Sequence, residues 1–297
     1  MNASFGIDHP LIAVNDIGVL RQRLISLGFN MTAIGKHPWG TSTSLAMFEG
    51  CLIEIMGIYD DTLLDALPAG EFRFGRHVHS HLQEREGIAL TALHSTDSAA
   101  DAERAMACGF TVSGHLEFGR DVTLPDGRTG RTKTILALMP DAQWPRLSFF
   151  LCRQHRPELI YVPEWLEHPN TVYGICGITI LADNQDHAAL IGKFEGLYGS
   201  AARIEGGFKV DTANGFIRVQ SINAIENEFG TLPKVVTAGN KPCIVAMDLR
   251  YEKAEHLRQW IANSGLDYRE VSETFTLTNS ADTGNTFLRF CKLQGSR

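Results

Sequence analysis

The sequence lacks several patterns that would each have indicated a particular class of protein. Its 297 residues contain no apolar run near the ~20 residues that a membrane-spanning helix needs. No segment resembles a secretory signal peptide. The formal charge is −7 and no basic stripe is present, which argues against a surface for nucleic acid. We therefore expect a cytoplasmic protein that engages neither nucleic acid nor a membrane.

Cysteine is sparse and carries no recognisable spacing. The six cysteines form no Cys-x-x-Cys pair, and most of them lie in apolar runs. They are therefore interpreted as small buried hydrophobes in a reducing compartment. The hydrophobic share of 44% and the charged share of 21% are typical of a globular protein.

One pattern occurs four times along the chain: a strand, an amphipathic helix, a glycine and further strands. The opening strands are predicted near residues 10–14, 88–93, 175–181 and 244–249. The helices end at Gly28, Gly109, Gly199 and Gly265, because glycine tolerates the positive φ that often follows a helix. Each repeat is a βαβββ module that cannot bury its sheet face alone.

The four modules predict an α+β protein made of two domains, each with two modules. The stretch 156–170 contains three prolines among polar residues, which is typical of a linker. We therefore place the N-terminal domain at residues 1–156 and the C-terminal domain at residues 157–297.

Glu54 is the strongest candidate for a functional residue. It interrupts an apolar strand, where an inward-facing carboxylate is costly unless it is paired or binds a cation. A buried salt bridge to an arginine is the alternative. His37 precedes Pro38, which favours an extended backbone and a pocket wall, although a surface turn would have the same sequence. His77, His79 and His81 would share one face of a strand and could bind a metal, or could form an exposed link.

Four segments resemble the vicinal oxygen chelate superfamily and, within it, the glyoxalase-like domain family. They are Asp8-His9 before an apolar strand, Leu27-Gly28-Phe29, the stretch from His37 to Thr41, and Leu52-Ile53-Glu54-Ile55. The resemblance implies paired modules that close into cupped mixed sheets, with metal ligands on the first and last strands of each module. His9 and Glu54 match these positions in the first module.

The other modules depart from the pattern of the superfamily. Leu90 occupies the position of His9 in the second module, Gly177 does so in the third, and Arg289 lies near the glutamate position of the fourth. The C-terminal domain is therefore expected to be degenerate and structural. His155 follows the last strand of the second module, where a metal ligand would be expected, and is our candidate for the third ligand.

The resemblance implies a metal-dependent enzyme whose small substrate offers vicinal oxygens. A divalent ion (Zn, Mn, Ni, Fe or Co) would be held by His9, Glu54 and His155 and would stabilise an enediolate or enolate, as in an isomerase, lyase or epimerase. Dioxygenase chemistry would require a second histidine ligand. The alternative is a metal-free binding protein of the bleomycin-resistance type. The partner is a small molecule, and the protein is expected to be a monomer or homodimer. Glu54 and His37 are the expected catalytic residues, and the expected substrate contacts are Trp39, Thr41, Phe150, Arg120 and Arg131.

Overall fold

The N-terminal half forms one eight-stranded mixed sheet. The computed structural model describes residues 5–239 and 241–292. The sheet order is β2-β3-β4-β1-β5-β10-β9-β6, and β7 and β8 form a separate hairpin. The strands are β1 (Ile7–Ala13), β2 (Gly35–Lys36), β3 (Thr41–Phe48), β4 (Cys51–Ile58), β5 (Gly87–His94), β6 (Gly114–Phe118), β7 (Asp121–Thr123), β8 (Thr129–Arg131), β9 (Thr134–Met139) and β10 (Phe149–Gln154). The helices are α1 (Ile17–Ser26), α2 (Phe74–Glu84), α3 (Ser98–Ala107) and α4 (Pro163–Leu166).

The C-terminal half repeats this topology in a second eight-stranded sheet, of order β12-β13-β14-β11-β15-β18-β17-β16. This arrangement confirms the predicted α+β fold of tandem cupped sheets. The strands are β11 (Val172–Leu181), β12 (Ala202–Ile204), β13 (Gly207–Asp211), β14 (Phe216–Gln220), β15 (Cys243–Tyr251), β16 (Tyr268–Val271), β17 (Thr274–Leu277) and β18 (Phe287–Cys291). The helices are α5 (His187–Tyr198), α6 (Ile222–Glu228), α7 (Lys234–Thr237) and α8 (Ala254–Ser264).

Helix α1 shows how each module turns from its first strand. The Asp16 carboxylate accepts a hydrogen bond from the Val19 amide at 3.0 Å, which satisfies one of the amides of the first turn. Leu20 and Leu24 are buried against the sheet. Gly28 ends the helix with φ of +86°, and a side chain there would collide with the Trp260 ring of α8. Glycine is therefore required both by the backbone and by the approach of the second half.

The two halves share a hydrophobic core. One apolar cluster contains residues of both sheets and of the helices between them. The rings of Phe149 and Phe194 are 6.2 Å apart, and those of Phe29 and Phe290 are 6.4 Å apart. Each of these pairs joins the two halves. Burial of one such side chain contributes about 1.5–3 kcal/mol to folding.

The segment from His77 to His81 lies in a helix, so the strand geometry that would have put the three histidines on one face does not apply. Helix α2 lies over one end of the first cup, with Phe74 5.1 Å from Trp39 between ring centroids. The His77 ring faces the Ala89 carbonyl at 3.0 Å, and the ring nitrogens of His81 face Arg146 Nη1 at 2.9 and 3.1 Å. A helix spaced at 3.6 residues per turn directs His79 away from these two, so the three histidines do not converge.

The predicted linker crosses the mouth of the first cup. It contains a short turn at Pro157–Leu159 and helix α4. The strands of the first sheet end at Gln154 and those of the second begin at Val172. The exact domain boundary stays a prediction. Within the described residues, no helix is long and apolar enough to cross a membrane.

The second cup is filled by its own chain. Helix α6 and the segment after it place Ile225, Phe229 and Val236 against strand residues of the sheet. The Phe229 and Phe287 rings stack with centroids 5.6 Å apart. The first cup, by contrast, remains hollow.

Candidate metal centre

A bulge in β1 brings two consecutive polar residues together. Ile7 pairs with Leu93 and His9 pairs with Ala92, so Asp8 is the extra residue in the ladder with β5. Such a bulge redirects side chains locally. Asp8 Oδ1 lies 2.6 Å from His9 Nδ1, and both side chains are buried.

Glu54 reaches the same place from the neighbouring strand. Strand β4 runs parallel to β1, and Glu54 pairs with Leu11 of β1. Leu11 follows His9 by two residues, so His9, Leu11 and Glu54 face the same side of the sheet. Glu54 Oε2 lies 3.3 Å from His9 Nε2. Thr43 on β3 donates its hydroxyl to Glu54 Oε1 at 2.5 Å. The partner of the buried carboxylate is thus a histidine, and not the arginine that the alternative interpretation of the sequence named.

The charged forms of His9 and Glu54 stabilise each other. Burial alone would lower the pKa of His9, but Asp8 and Glu54 outweigh it and raise this pKa to about 10. Burial would raise the pKa of Glu54, but its hydrogen bond to His9 and the charge of that ring lower it to about 2. The protein without a metal therefore holds a buried imidazolium between two carboxylates.

The donor set fits a divalent ion. Nitrogen and oxygen ligands each about 2.0–2.2 Å from an ion lie about 3 Å apart, which matches His9 Nε2 and Glu54 Oε2. A carboxylate on the far ring nitrogen fixes the tautomer of a ligating histidine, and Asp8 has this position. Donor atoms of Asp8, His9 and Cys152 also lie within 4.8 Å of one another. Because Asp8 is already bonded to Nδ1, we assign it to orienting the ring and take His9 and Glu54 as the candidate ligands. Cys152 lies near Asp8 and His9, but its thiol does not converge with Glu54 in the same way.

The structure does not bring His155 to this centre. On β10, Phe150, Cys152 and Gln154 line the cavity, so alternation directs His155 to the other side. Its backbone amide donates to the Lys133 carbonyl at 2.9 Å. Strand β10 instead places Cys152 in the cavity lining, near Asp8 and His9. Burial and the neighbouring carboxylates raise the pKa of its thiol, so it is protonated until a cation approaches.

His37 lies in the wall of the same cavity. Its Nδ1 is 2.9 Å from Thr41 Oγ1, and its Nε2 is 3.2 Å from Arg120 Nη2. Because a guanidinium can only donate, Nε2 accepts and Nδ1 carries the proton. Burial, followed by the charge of Arg120, lowers the pKa of His37 to about 3. His37 is therefore neutral, and its unprotonated Nε2 faces Arg120. Its Nδ1 hydrogen bond to Thr41 fixes the orientation of the ring.

The cavity has a volume of about 730 Å³, which suits a drug-sized ligand. Trp39 and Phe150 line it, as expected from the sequence. The Trp39 ring stacks on His37 at 4.6 Å, and the edge of Phe150 meets His9 at 5.4 Å. Two expected substrate contacts are not part of this lining. Thr41 lies behind His37, and Arg131 is exposed and paired with Asp121 at 2.9 Å.

The comparison with protein families agrees with this architecture. The family described as glyoxalase-like domain matches residues 7–193, which include the whole first sheet, strand β11 and the first part of helix α5. The chain belongs to the glyoxalase-like domain family. No curated protein matches the chain.

Solved structures share the fold of this family member at low identity. A hypothetical protein from Staphylococcus aureus has a TM-score of 0.65 and 12% identity, with 97% of this chain and 99% of that chain covered. A variant of 4-hydroxymandelate synthase from Streptomyces coelicolor has a TM-score of 0.63 and 11% identity, over 100% and 94%. The Mn(II)-bound glyoxalase from Novosphingobium aromaticivorans has a TM-score of 0.54 and 11% identity, over 98% and 82%.

The second sheet of this glyoxalase-like protein has ion pairs at the corresponding positions. Thr179 pairs with Arg218 as Leu11 pairs with Glu54, so Arg218 replaces the glutamate and Gly177 replaces His9. Arg218 Nη2 lies 3.1 Å from Asp248 Oδ2, and Arg289 binds the other oxygen of Asp248. Among the described residues of the C-terminal half, two guanidinium groups thus occupy the positions that correspond to Glu54, and their charge disfavours a cation there.

Proposed function

We propose that the protein is a metal-dependent enzyme that acts on a small substrate with vicinal oxygens, at the N-terminal cup. The observation that carries this proposal is the 3.3 Å approach of His9 Nε2 and Glu54 Oε2 inside the cavity, with Asp8 holding the other ring nitrogen. Nitrogen and oxygen donors are compatible with Zn, Mn, Ni, Fe or Co. One histidine and one carboxylate fit an isomerase, lyase or epimerase. Oxygen chemistry would require two histidines and one carboxylate.

A divalent ion at this place supplies Lewis-acid polarisation of a carbonyl group. The protein's own residues do the rest. His9 and Glu54 hold the ion, Asp8 keeps His9 Nε2 directed at Glu54, and Thr43 fixes the second Glu54 oxygen. Phe150 and Trp39 are buried and add apolar surface to the same cavity, which lowers the local dielectric constant and strengthens these interactions.

His37 is the proposed proton acceptor. Its Nε2 carries no proton, and the ring is held in place by Thr41 on one side and by the Trp39 ring on its face. A base whose pKa is near 3 accepts a proton only from a strongly acidified carbon. An ion held by His9 and Glu54 would supply that acidity, and His37 would accept the proton at Nε2 from the carbon beside the carbonyl.

Proton exchange tests this proposal directly. The metal-loaded protein is mixed with 2-hydroxyacetophenone in D₂O, and loss of the methylene proton signal is followed by NMR. We expect the protein to accelerate exchange, and His37→Gln and Glu54→Gln each to lower the rate about 10²–10⁴-fold. His155→Gln is the matched control, because that histidine lies outside the cavity. Exchange that is equally fast in His37→Gln and wild-type protein would refute the role of His37, and absence of any acceleration would refute the enolising mechanism.

A metal-free binding protein is the second candidate function. In the second module, Leu90 stands at the position of His9 and Phe150 at the position of Glu54, so this module offers no ligand there. The aromatic side chains in the cavity lining also favour this function. Such a protein would bind apolar ligands tightly in the presence of EDTA, would accelerate no exchange and would retain no metal. The same experiment therefore separates the two functions.

A further inference from the structure

Four basic residues surround the β7–β8 hairpin, and three of them are neutralised at the surface. Arg128 pairs with Asp126 at 2.7 Å, Arg131 with Asp121 at 2.9 Å, and Lys133 with Glu117 at 3.1 Å. Their side chains are between 47% and 76% exposed. Arg120, by contrast, is partly buried and has no carboxylate partner among the described residues.

Arg120 turns inward and lacks an acidic partner. It lines the cavity, its Nη2 donates to the neutral His37, and among residues 5–239 and 241–292 it forms no ion pair. Burial lowers its pKa, although the charge of Glu54 acts against this. A partly buried guanidinium without a carboxylate partner loses part of its hydration, and an anionic ligand group would offset that loss.

The backbone of Arg120 is fixed, so this orientation is built into the fold. Its amide donates to Thr132 Oγ1 at 2.9 Å, and its carbonyl accepts from the Thr132 amide at 2.8 Å. Gly119 permits this turn, because a side chain there would lie 2.1 Å from the Thr132 carbonyl oxygen. On the other side, a Cβ at Gly35 would lie only 3.1 Å from Arg120 Nη1. A glycine on each side thus leaves room for the guanidinium to reach the cavity.

We propose that Arg120 binds a single carboxylate of the substrate, which makes the substrate class an apolar monocarboxylate. Placing the vicinal oxygens of that substrate at His9 and Glu54 rests on the proposed function, but the carboxylate contact does not. The planar guanidinium offers two parallel donors to a carboxylate.

The rest of the lining limits the charge and favours an apolar body. Asp121 and Glu164 are in the lining, and Asp121 is already paired with Arg131, so a second negative charge on the ligand would meet the Glu164 carboxylate. Phe118, Phe74 and Leu136 are also in the lining and offer apolar surface to the body of a ligand. A carboxylate attached to an aromatic or aliphatic body satisfies both features.

The test uses metal-free protein in EDTA, so that it does not depend on the metal centre. Binding of 4-phenylbutanoate and of its neutral analogue 4-phenylbutanamide is measured by isothermal titration calorimetry. We expect wild-type protein to prefer the carboxylate at least tenfold. Arg120→Gln should abolish this preference, and Arg120→Lys, which keeps the charge but not the fork, should retain part of it. Arg131→Gln is the matched control and should behave as wild type.

Equal binding of the two ligands by wild-type protein, or no binding of the carboxylate, would overturn the inference. So would equal loss of preference in the Arg120→Gln and Arg131→Gln variants, which would indicate a diffuse effect of the hairpin charges. Thermal unfolding of each variant shows whether it is folded, and the Lys variant carries the test if the Gln variant is not. Arg120-dependent binding without proton exchange would refute the proposed function and leave this inference intact.

Discussion

At the scale of single residues, the proposed metal centre depends on His9 as a ligand and on Asp8, which orients the His9 ring. His9 offers Nε2 to Glu54, while Asp8 accepts the proton of Nδ1. His9 and Glu54 could be predicted because a polar residue in an apolar strand stands out. The role of Asp8 could not be predicted, because it depends on a bulge that leaves no mark in the pattern of the strand. Cys152 was missed because a cysteine in an apolar run is interpreted as a small hydrophobe.

The orienting role of Asp8 predicts a specific loss of metal affinity. Asp8→Asn should weaken binding of Zn²⁺ or Mn²⁺ about 10–100-fold, because the amide does not hold the imidazole in one tautomer as a carboxylate does. Competition with a chromogenic chelator measures the change. Asp121→Asn is the control, since Asp121 lines the same cavity but pairs with Arg131 at its mouth. Unchanged affinity in Asp8→Asn would show that the carboxylate does not orient the ring.

At the scale of elements, the linker and the β7–β8 hairpin together cover the cavity. Leu159 and Val162 of the linker pack against Leu124 of the hairpin. A side chain at Gly130 would lie 2.8 Å from Leu159 Cδ1, so the two segments meet at this glycine. The prolines predicted the linker, but its position over the cup follows from tertiary contacts that a local pattern does not encode.

This contact predicts that Gly130→Val loosens the linker. Val should separate the hairpin from Leu159, and amide hydrogen exchange in residues 157–166 should become faster. Gly192→Val is the matched control, because that glycine lies in α5 with no atom within 4 Å of the added Cβ. Identical exchange of the linker in the two variants would mean that the hairpin does not hold it.

Helix α2 shows why the sequence did not indicate a helix at the histidine run. Three histidines at alternate positions fit a strand, and Arg73 at the N-cap makes no side-chain hydrogen bond that would mark a helix start. The helix is stabilised by burial of Phe74 and Val78 on the cup, which is tertiary information. The misplacement of His155 has a related cause, because a shift of one residue on β10 reverses the face of the side chain.

At the scale of the whole molecule, the two halves have diverged while keeping one topology. The four repeats in the sequence predicted the two sheets and also the absence of ligand residues at Gly177 and Arg289. The ion-pair cluster that replaces them was beyond prediction, since Asp248 lies on a third strand and Glu228 comes from α6. Whether the protein is a monomer or a homodimer stays a prediction.

The cluster in the second half predicts a large effect on stability and none on the metal. Asp248 is fully buried between Arg218 and Arg289, so Asp248→Ala leaves two guanidinium groups facing each other. Glu228 then remains as the carboxylate shared by the two arginines. Because the buried partner is lost, we still expect the free energy of unfolding to fall by about 3–5 kcal/mol, as measured by urea denaturation. Metal affinity should remain at the wild-type value. A loss below about 1 kcal/mol would mean that the cluster is exposed to solvent and contributes little.

Metal content per chain tests the central claim most directly. Wild-type protein, incubated with Zn²⁺, Mn²⁺, Ni²⁺ or Fe²⁺ and then desalted, is analysed by elemental analysis beside a His9→Ala/Glu54→Gln double variant. The structure predicts about one ion per chain in the wild-type protein, because the second cup has arginines at the ligand positions, and none in the double variant. Two ions per chain, an ion retained by the double variant, or no ion in either protein would contradict a single metal centre in the N-terminal cup.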